Sequence, residues 1–527
     1  MRTGRLQLAS VCAVASLACS ERPLPLRAEP SGNDAGADHD PPPVDAGAPP
    51  GEAGVPPGVL DWAVPVGSQP SPAAAGSTTV KAVVATDDGG AIVAGSFTGS
   101  VGFAADVIRD GTPGSGFVAR YRRDQRLVWV HVLGAESGRV VVADMASLGA
   151  DEVAVAGWFD GTLVERRDAS PIVVPSAGGL DLFVARLASD GSVRWIKRAG
   201  GPGDDIARGV AAASADTGGA ASIAITGAIA DGAVFGPGEA GETRVPAAAG
   251  PVFAARLGGD GALTWARFAG GGVPGQGYGV AHDRAAAVAV TGYVNGVAAF
   301  GNDVSGVPVS IDPAVGRAFV ARWDAGGRLL WAQPAGGPAG EGDAIAVAAG
   351  GAIVATGLFQ GKAQFGADAS APVLIADSPG KDGVYVAAFA SSGATKWARR
   401  LTGIGIRPWH VRSSSDGDLL VAASFGGGVV VDPDGPMPLT LFSSGDTDAL
   451  FVRLGGDGVL RWAAAGGGPG GEQGADFTGA DDGATWAVGT YHGPAAFGTG
   501  SAFGAGSAIR LESGTDGGSF LLRLLAP

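Results

Sequence analysis

Cysteine is almost absent from this chain of 527 residues: there are two, Cys12 and Cys19, and both lie near the N-terminus. Beyond Cys19 the sequence therefore has no pair of thiols for a disulfide and no thiolate set for a structural metal site. It also lacks the CxxCH motif that attaches haem, and it has no vicinal cysteine pair.

Basic residues are also scarce. The chain has 36 Lys and Arg against 51 Asp and Glu, which gives a formal net charge of −15. Such an acidic surface repels phosphate backbones and anionic lipid headgroups, so the composition argues against nucleic-acid binding and against membrane attachment through a basic patch.

Motifs for catalysis are missing as well. The sequence has no HExxH and no DxDxDG loop, so neither a zinc protease centre nor an EF-hand calcium loop is expected. Two carboxylate pairs, Asp204-Asp205 and Asp481-Asp482, fall in loops between repeats, where Asp commonly caps a turn. Metal binding by Asp204 and Asp205 is the weaker alternative. No catalytic residue and no cofactor are assigned. The five histidines are scattered over the chain: His39, His131, His282, His410 and His492.

What the chain has in abundance is glycine, 93 residues, together with 34 prolines and many short apolar runs. Glycine reaches positive φ without steric cost and is therefore the usual turn residue. Short apolar runs between turns predict an all-β fold.

The N-terminus has the three parts of an export signal. Arg2 and Arg5 precede an apolar run from Leu6 to Ala18, and small residues stand just before Cys19. The run is too short for a permanent membrane span. Its end resembles a bacterial lipoprotein signal, in which the cysteine after the cut is acylated, although Ser16 stands where Leu is preferred. We expect residues 1–18 to be a signal peptide and Cys19 to carry lipid, with ordinary secretion as the alternative.

Residues 19–58 are rich in Pro, Ala, Gly and Asp and contain few large apolar side chains. Such a composition cannot bury enough surface to offset the entropy of ordering, so it predicts a disordered tether.

From Val59 onward the sequence repeats with a period of roughly 66 residues. One marker is a tryptophan, and the other is a strand of the form FVARL that precedes it. Turns such as Asp190-Gly191 and Asp260-Gly261 connect the two markers, which is a strong hairpin signal. The tryptophans are Trp62, Trp129, Trp195, Trp265, Trp331, Trp397 and Trp462, and the FVARL-type strands begin at Phe117, Phe183, Phe253, Phe319, Tyr385, Leu450 and Phe520.

Each repeat also has a β-branched run ending in Gly, such as IAITG at Gly227, and a further strand before it. The sixth copy has Ala423 or Ser424 in place of this Gly. Four strands per repeat predict a propeller blade. The first repeat has only its Trp62 strand, and the last ends with the FVARL-type strand, so the two ends are expected to complete one blade. The prediction is a seven-bladed β-propeller of four-stranded antiparallel blades over residues 59–527, closed by pairing the N- and C-terminal strands.

The unit DLFVARLASDGSVRWIKRAGGPGDDIARGVA, from Asp181 to Ala211, resembles the bacterial seven-bladed propeller (SBBP-type) repeat with its FVAK, DG and GG-x-DD elements. The resemblance extends over residues 59–527. It implies an extracellular or cell-surface repeat protein and no particular chemistry. The tryptophans are expected to pack neighbouring blades together rather than to hold a cofactor.

Between the Gly-ended strand and the FVARL-type strand lies an insertion of roughly 20 residues. It often contains Phe-Gly, as at Phe235-Gly236 and Phe300-Gly301, and then a second apolar run. This pattern predicts an extra hairpin per blade, all on one side, which either forms a binding face or only lengthens the blades.

These observations favour a non-enzymatic, extracytoplasmic, lipid-anchored propeller on the outer membrane or cell surface. Its expected roles are binding a glycan or an envelope protein, or scaffolding the envelope. A polysaccharide hydrolase or lyase with carboxylates at a central channel is the alternative.

Overall fold

The structure is a computed structural model that describes residues 59–67, 76–104, 107–111, 113–166, 170–214, 221–283, 285–303, 305–312, 314–366, 372–375, 382–436, 438–497, 509–511 and 517–525. The expected signal peptide, Cys19 and the tether lie outside these residues. The helical and strand elements that the structure describes are all β-strands; the described ranges contain no helix. None of these ranges contains a helix of the length and apolarity that a membrane span requires.

The strands are short and separated by tight turns, as the glycine-rich sequence predicts. In chain order they are β1 (Val59–Val66), β2 (Gly76–Ala85), β3 (Ala91–Ala104), β4 (Val107–Asp110), β5 (Ser115–Tyr121), β6 (Leu127–Ala135), β7 (Val140–Gly149), β8 (Glu152–Phe159), β9 (Thr162–Glu165), β10 (Ile172–Pro175), β11 (Asp181–Leu187), β12 (Val193–Ala199), β13 (Ile206–Ala213), β14 (Ser222–Ala228), β15 (Val234–Phe235), β16 (Thr243–Arg244), β17 (Val252–Gly258), β18 (Leu263–Ala269), β19 (Gly275–His282), β20 (Val288–Val294), β21 (Ala298–Asn302), β22 (Pro308–Ile311), β23 (Ala318–Trp323), β24 (Leu329–Ala335), β25 (Glu341–Val347), β26 (Ile353–Gln360), β27 (Lys362–Gln364), β28 (Val373–Ile375), β29 (Asp382–Phe389), β30 (Thr395–Ser413), β31 (Leu419–Val431), β32 (Leu439–Phe442), β33 (Asp448–Leu454), β34 (Leu460–Gly466), β35 (Gln473–Gly479), β36 (Thr485–Tyr491), β37 (Ala495–Phe497), β38 (Ile509–Leu511) and β39 (Gly518–Leu525).

Within the described residues, seven groups of four antiparallel strands follow the predicted order of first strand, Gly-ended strand, FVARL-type strand and Trp strand. We call these groups units. The long strand β30 serves both unit 5, through β29, and unit 6, through β31. The units are β2-β3-β5-β6, β7-β8-β11-β12, β13-β14-β17-β18, β19-β20-β23-β24, β25-β26-β29-β30, β30-β31-β33-β34 and β35-β36-β39-β1.

The insertion predicted in each repeat forms a second, smaller hairpin. Four insertions form separate two-stranded sheets, of which β21-β22 and β27-β28 are examples. In the other three units the hairpin is joined to a larger strand: β4 pairs with β3, β9 pairs with β6 and β10, and β32 pairs with β31. All seven follow the Gly-ended strand, so they lie at the end of the unit where the first strand begins.

The tryptophans fasten neighbouring units together. The indole N–H of Trp195 donates to the carbonyl of Gly259 at 3.0 Å, in the turn before the Trp strand of the next unit. Trp129, Trp265, Trp331 and Trp397 make the same bond to the turn one unit further on. The interpretation that these residues pack repeats together is therefore confirmed at five of the seven positions.

The two ends of the repeat region meet in one sheet. Strand β1 pairs with β39 along its whole length. Arg523 of β39 is almost fully buried and contacts Asp61 of β1 at 2.6 Å and Asp482 at 2.5 Å. Ser519 of β39 donates to the carbonyl of Thr78 and accepts from the N–H of Val80, both at 3.0 Å in unit 1. Along the chain each first strand contacts the first strands of its neighbours, and β35 contacts β2.

A close backbone approach explains the glycine that ends each second strand. A Cβ built on Gly227 would lie 1.9 Å from the carbonyl oxygen of Ile206 in the first strand, far inside van der Waals contact. The first strand has a β-bulge immediately after this point, between Ala207 and Gly209. The same approach recurs at five further positions: Gly95, Gly157, Gly292, Gly357 and Gly489. Unit 6 differs, since Ala423 pairs with Pro408 across a more irregular register.

Replacing Gly227 with Ala should destabilise the protein by about 1–3 kcal/mol, because the first strand must move to admit the methyl group. Chemical denaturation measures the change. The matched control is Ala423→Gly at the equivalent position of unit 6, which should cost only about 0.5–1 kcal/mol through backbone entropy. Equal losses for both variants would show that the close approach does not limit stability.

Candidate functional site

The bulges decide which side chains meet between the units. We compare the residue that directly follows the bulge in each of the seven first strands. This residue is Ala or Gly in four units and Asp or His in the other three. The seven residues are Ala82, Asp144, Gly209, Gly279, Ala344, His410 and Asp476.

Asp476 is fully buried and holds neighbouring units together. Its Oδ2 accepts from the backbone N–H of Val83 in unit 1 at 2.9 Å, and its Oδ1 accepts from the N–H of Phe477 at 2.8 Å. Arg412 of unit 6 donates to the same carboxylate through Nε at 2.9 Å and Nη2 at 2.7 Å. A buried charge is stable only when paired and hydrogen-bonded in this way.

Asp144 makes the same kind of link in unit 2. Its carboxylate accepts from the N–H of Val210 in unit 3 at 2.9 Å and from the N–H of Met145 at 2.7 Å. Arg412 reaches this unit as well, donating to the carbonyl of Met145 at 3.2 Å. A single guanidinium thus connects units 6, 7 and 2.

His410 lies between the two carboxylates, with Nδ1 3.4 Å from Asp476 Oδ1 and Nε2 3.6 Å from Asp144 Oδ1. Burial opposes its charge, but Asp476 and Asp144 outweigh this effect and raise the pKa of His410 above its ordinary value of 6.5. Burial would likewise raise the pKa of Asp476, yet Arg412 and His410 hold it below 3.8. We call these four residues the buried ion cluster: Asp144, His410, Arg412 and Asp476.

A cavity of about 450 Å³ borders the cluster, with His410 and Arg412 in its wall. All seven first strands line it, largely with small residues: Ala85, Ala146, Ala211, Ala281 and Ala346. His282 also faces it and forms a 2.8 Å hydrogen bond with Ser222. Burial lowers the pKa of His282.

The Asp476 carboxyl is poorly suited to act as a general acid. At neutral pH that role needs a raised carboxyl pKa, whereas the pKa of Asp476 is lowered. The carboxylates of Asp144 and Asp476 are occupied by backbone N–H groups and by Arg412. In the described part of the chain, no three His, Cys, Asp or Glu side chains come together as a metal site. The contacts of the cluster link unit 7 to unit 1, unit 2 to unit 3, and unit 6 to units 7 and 2.

The weak metal candidates Asp204 and Asp205 lie at the boundary between units 2 and 3. Asp205 is fully buried and accepts from the N–H groups of Gly201 and Ala230, both at 2.7 Å. Burial raises its pKa to about 6, and Asp181 adds to the shift. Asp204 is exposed and accepts from the N–H of Leu180 at 3.0 Å. Both residues thus cap backbone groups.

An equivalent buried pair between units 6 and 7 escaped the sequence analysis. Glu472 occupies the position of Asp205, and Asp448 that of Asp181. Glu472 accepts from the N–H of Gly468 at 2.7 Å, and burial raises its pKa to about 7. The sequence does not show this pair as a repeat of Asp204-Asp205, because this copy reads GGGPGGE where unit 2 ends in GGPGDD.

The other titratable residues noted in the sequence are not brought together. Asp481 lines the cavity, whereas Asp482 binds Arg523. His131 contacts Glu165 at 3.0 Å, and His492 bonds the carbonyl of Gly471 at 2.9 Å. His39 lies outside the described residues.

The raised pKa of His410 and the lowered pKa of His282 predict opposite pH effects for variants of these two residues. A raised pKa means that His410 contributes stability that is complete below about pH 6.5 and is lost as pH rises through its folded pKa. His410→Gln should therefore lower the melting temperature more at roughly pH 5 than at roughly pH 9. The pKa of His282 is lowered, so protonating this residue in acid destabilises the folded protein. The loss of melting temperature caused by His282→Gln should therefore be smaller at roughly pH 5 than at roughly pH 9. Calorimetry at both pH values tests this, and parallel pH profiles would contradict it.

Neither a protein-family model nor a curated protein matches this sequence. Among solved structures, a protein of unknown function from Dyadobacter fermentans is 10% identical, with 89% of this chain and 100% of that chain covered and a TM-score of 0.35. The PQQ domain of pyranose dehydrogenase from Coprinopsis cinerea is 9% identical, with 91% and 99% covered and a TM-score of 0.32. A biofilm matrix protein of V. cholerae is 12% identical, with 89% and 91% covered and a TM-score of 0.22. At such identities and TM-scores, these matches assign no function to this chain.

Proposed function

We propose that this chain is a closed seven-bladed β-propeller that is exported, anchored by lipid at Cys19, and acts by binding rather than by catalysis. The observation that carries the non-enzymatic part is the buried ion cluster. Its Asp, His and Arg side chains, the types that could act as acid, base or charge stabiliser, bind one another and the backbone.

Closure of the ring is supported by the contacts of the first strands, which run from β2 through β7, β13, β19, β25 and β30 to β35 and back to β2. The pairing of β1 with β39 supports it as well, because it completes the seventh unit from both ends of the chain. Such a ring leaves no unpaired edge at the junction of the termini.

Closure predicts that a disulfide can form across the ends of a single molecule. Residues 20–527 contain no cysteine, so Val64→Cys and Leu521→Cys, which are paired in the β1–β39 register, supply the only thiols. Oxidation should give a monomer of altered mobility on a non-reducing gel. The control combines Val64→Cys with Phe451→Cys, the equivalent position of unit 6, and should give none. Disulfide-linked dimers alone from the first pair would argue for an open array.

Export and anchoring rest on Arg2, Arg5, the apolar run and Cys19. The full chain expressed in a bacterial host should incorporate radiolabelled palmitate and fractionate with membranes. Cys19→Ala should abolish the labelling, whereas Cys12→Ala, inside the segment expected to be removed, should leave it unchanged. An unlabelled wild-type chain in the soluble fraction would exclude the lipid anchor.

A further inference from the structure

Two tyrosines and an arginine stack at the end of unit 4 from which the insertion hairpin leaves. The rings of Tyr278 and Tyr293 have centroids 5.8 Å apart. The guanidinium of Arg317 lies over the Tyr293 ring, 4.9 Å from its centroid. Both tyrosines are half-buried.

The contacts continue into units 5 and 6. Arg317 donates to Glu341 at 2.6 Å, and Arg407 lies 3.6 Å from the other oxygen of the same carboxylate. Arg407 in turn lies over the indole of Trp409, 5.5 Å from its ring centroid. Ring, guanidinium and carboxylate thus alternate across three units. We call this the tyrosine–arginine patch: Tyr278, Tyr293, Arg317, Glu341, Arg407 and Trp409.

The bulges explain why these side chains gather. Tyr278 and Trp409 are the extra residues of the bulges in β19 and β30, and Asp343 is the extra residue of the bulge in β25. In units 2 and 7 the equivalent residues are Ala143 and Ala475. Only part of the ring therefore has large aromatic groups at this position.

The patch gathers positive charge on a protein whose formal net charge is −15. Arg208 adds a third positive charge, and it interacts electrostatically with both Tyr278 and Tyr293. Glu341 is the opposing carboxylate. Asp343 is a second carboxyl group: its Oδ1 lies 4.0 Å from Arg407, its buried Oδ2 has no hydrogen-bond partner among the described residues, and burial raises its pKa to about 7. The three guanidinium groups therefore outnumber the two carboxyl groups.

We propose that the tyrosine–arginine patch binds acidic polysaccharide, with the aromatic rings stacking on sugar faces and Arg407 pairing with a sugar carboxylate; this rests on the proposed binding function. Aromatic rings offer apolar contact to the C–H faces of a sugar, and a planar guanidinium recognises a carboxylate through two parallel hydrogen bonds. Arg407 suits this role because its side chain is 44% exposed and its contacts with Glu341 and Asp343 are long, at 3.6 and 4.0 Å. A neutral glycan would leave the excess of guanidinium charge unmatched.

The test is affinity electrophoresis of residues 20–527 in gels containing polygalacturonate or, for comparison, neutral dextran. The wild-type protein should be retarded by polygalacturonate and not by dextran. Arg407→Gln should weaken the apparent affinity by about tenfold, the usual scale for loss of one charge-assisted contact. Trp409→Ala should weaken it to a similar extent through lost stacking.

Two controls match these variants. Arg126→Gln removes the same charge from a side chain that is 82% exposed outside the patch. Phe442→Ala removes an aromatic ring that is 75% exposed on β32. Both should bind as the wild type does, and thermal melts of all variants should confirm that each is folded.

Absence of retardation, equal retardation by dextran, or equal weakening by Arg407→Gln and Arg126→Gln would each overturn the site. The last outcome would show attraction by total charge alone. Failure of the proposed function has a different signature: shortening of polygalacturonate on prolonged incubation would show catalysis, whether or not the patch variants alter retardation.

Discussion

The structure depends on the close approach of a first-strand carbonyl to a glycine of the second strand. With no Cβ on Gly227, the carbonyl of Ile206 can lie where a methyl group would be, and the first strand bulges immediately afterwards. A bulge changes the direction in which the following side chains point. Repetition of this geometry in six units aligns their first strands around one cavity, so a backbone constraint determines which side chains can meet there.

Contacts shared by most units and contacts particular to one pair of units occupy different positions of the repeat. The tryptophan bond to the next turn recurs because it stabilises contact between units. The boundaries between units diverge. Between units 2 and 3 the Asp205 carboxylate accepts from the N–H groups of Gly201 and Ala230, whereas between units 4 and 5 Arg317 pairs with Glu341. Because the shared tryptophan contacts already hold the units together, the residues at these boundaries can differ from unit to unit.

The sequence was sufficient for the four strands of each unit, since glycine turns, apolar runs and regular spacing are local signals. It did not predict the buried ion cluster, because Arg412 meets Met145 across 267 residues of sequence. Nor did it identify the bulges, which depend on a carbonyl approaching from another strand, or the patch formed from Tyr278, Glu341 and Arg407. The loop carboxylate Asp205, expected in a turn, is buried because it caps backbone of two units.

The two regions differ in how their charged groups are used, which bears on where the proposed ligand would bind. In the buried ion cluster two carboxylates face Arg412 and His410, and a ligand entering there would have to break contacts that hold units 6, 7 and 2 together. Leaving a buried charge unpaired is strongly destabilising. The tyrosine–arginine patch has more guanidinium than carboxyl groups, and its aromatic residues are half-buried, so the proposed ligand would gain contacts there without breaking those of the buried ion cluster. The proposed binding is therefore favoured at the tyrosine–arginine patch, while the buried ion cluster holds the units together.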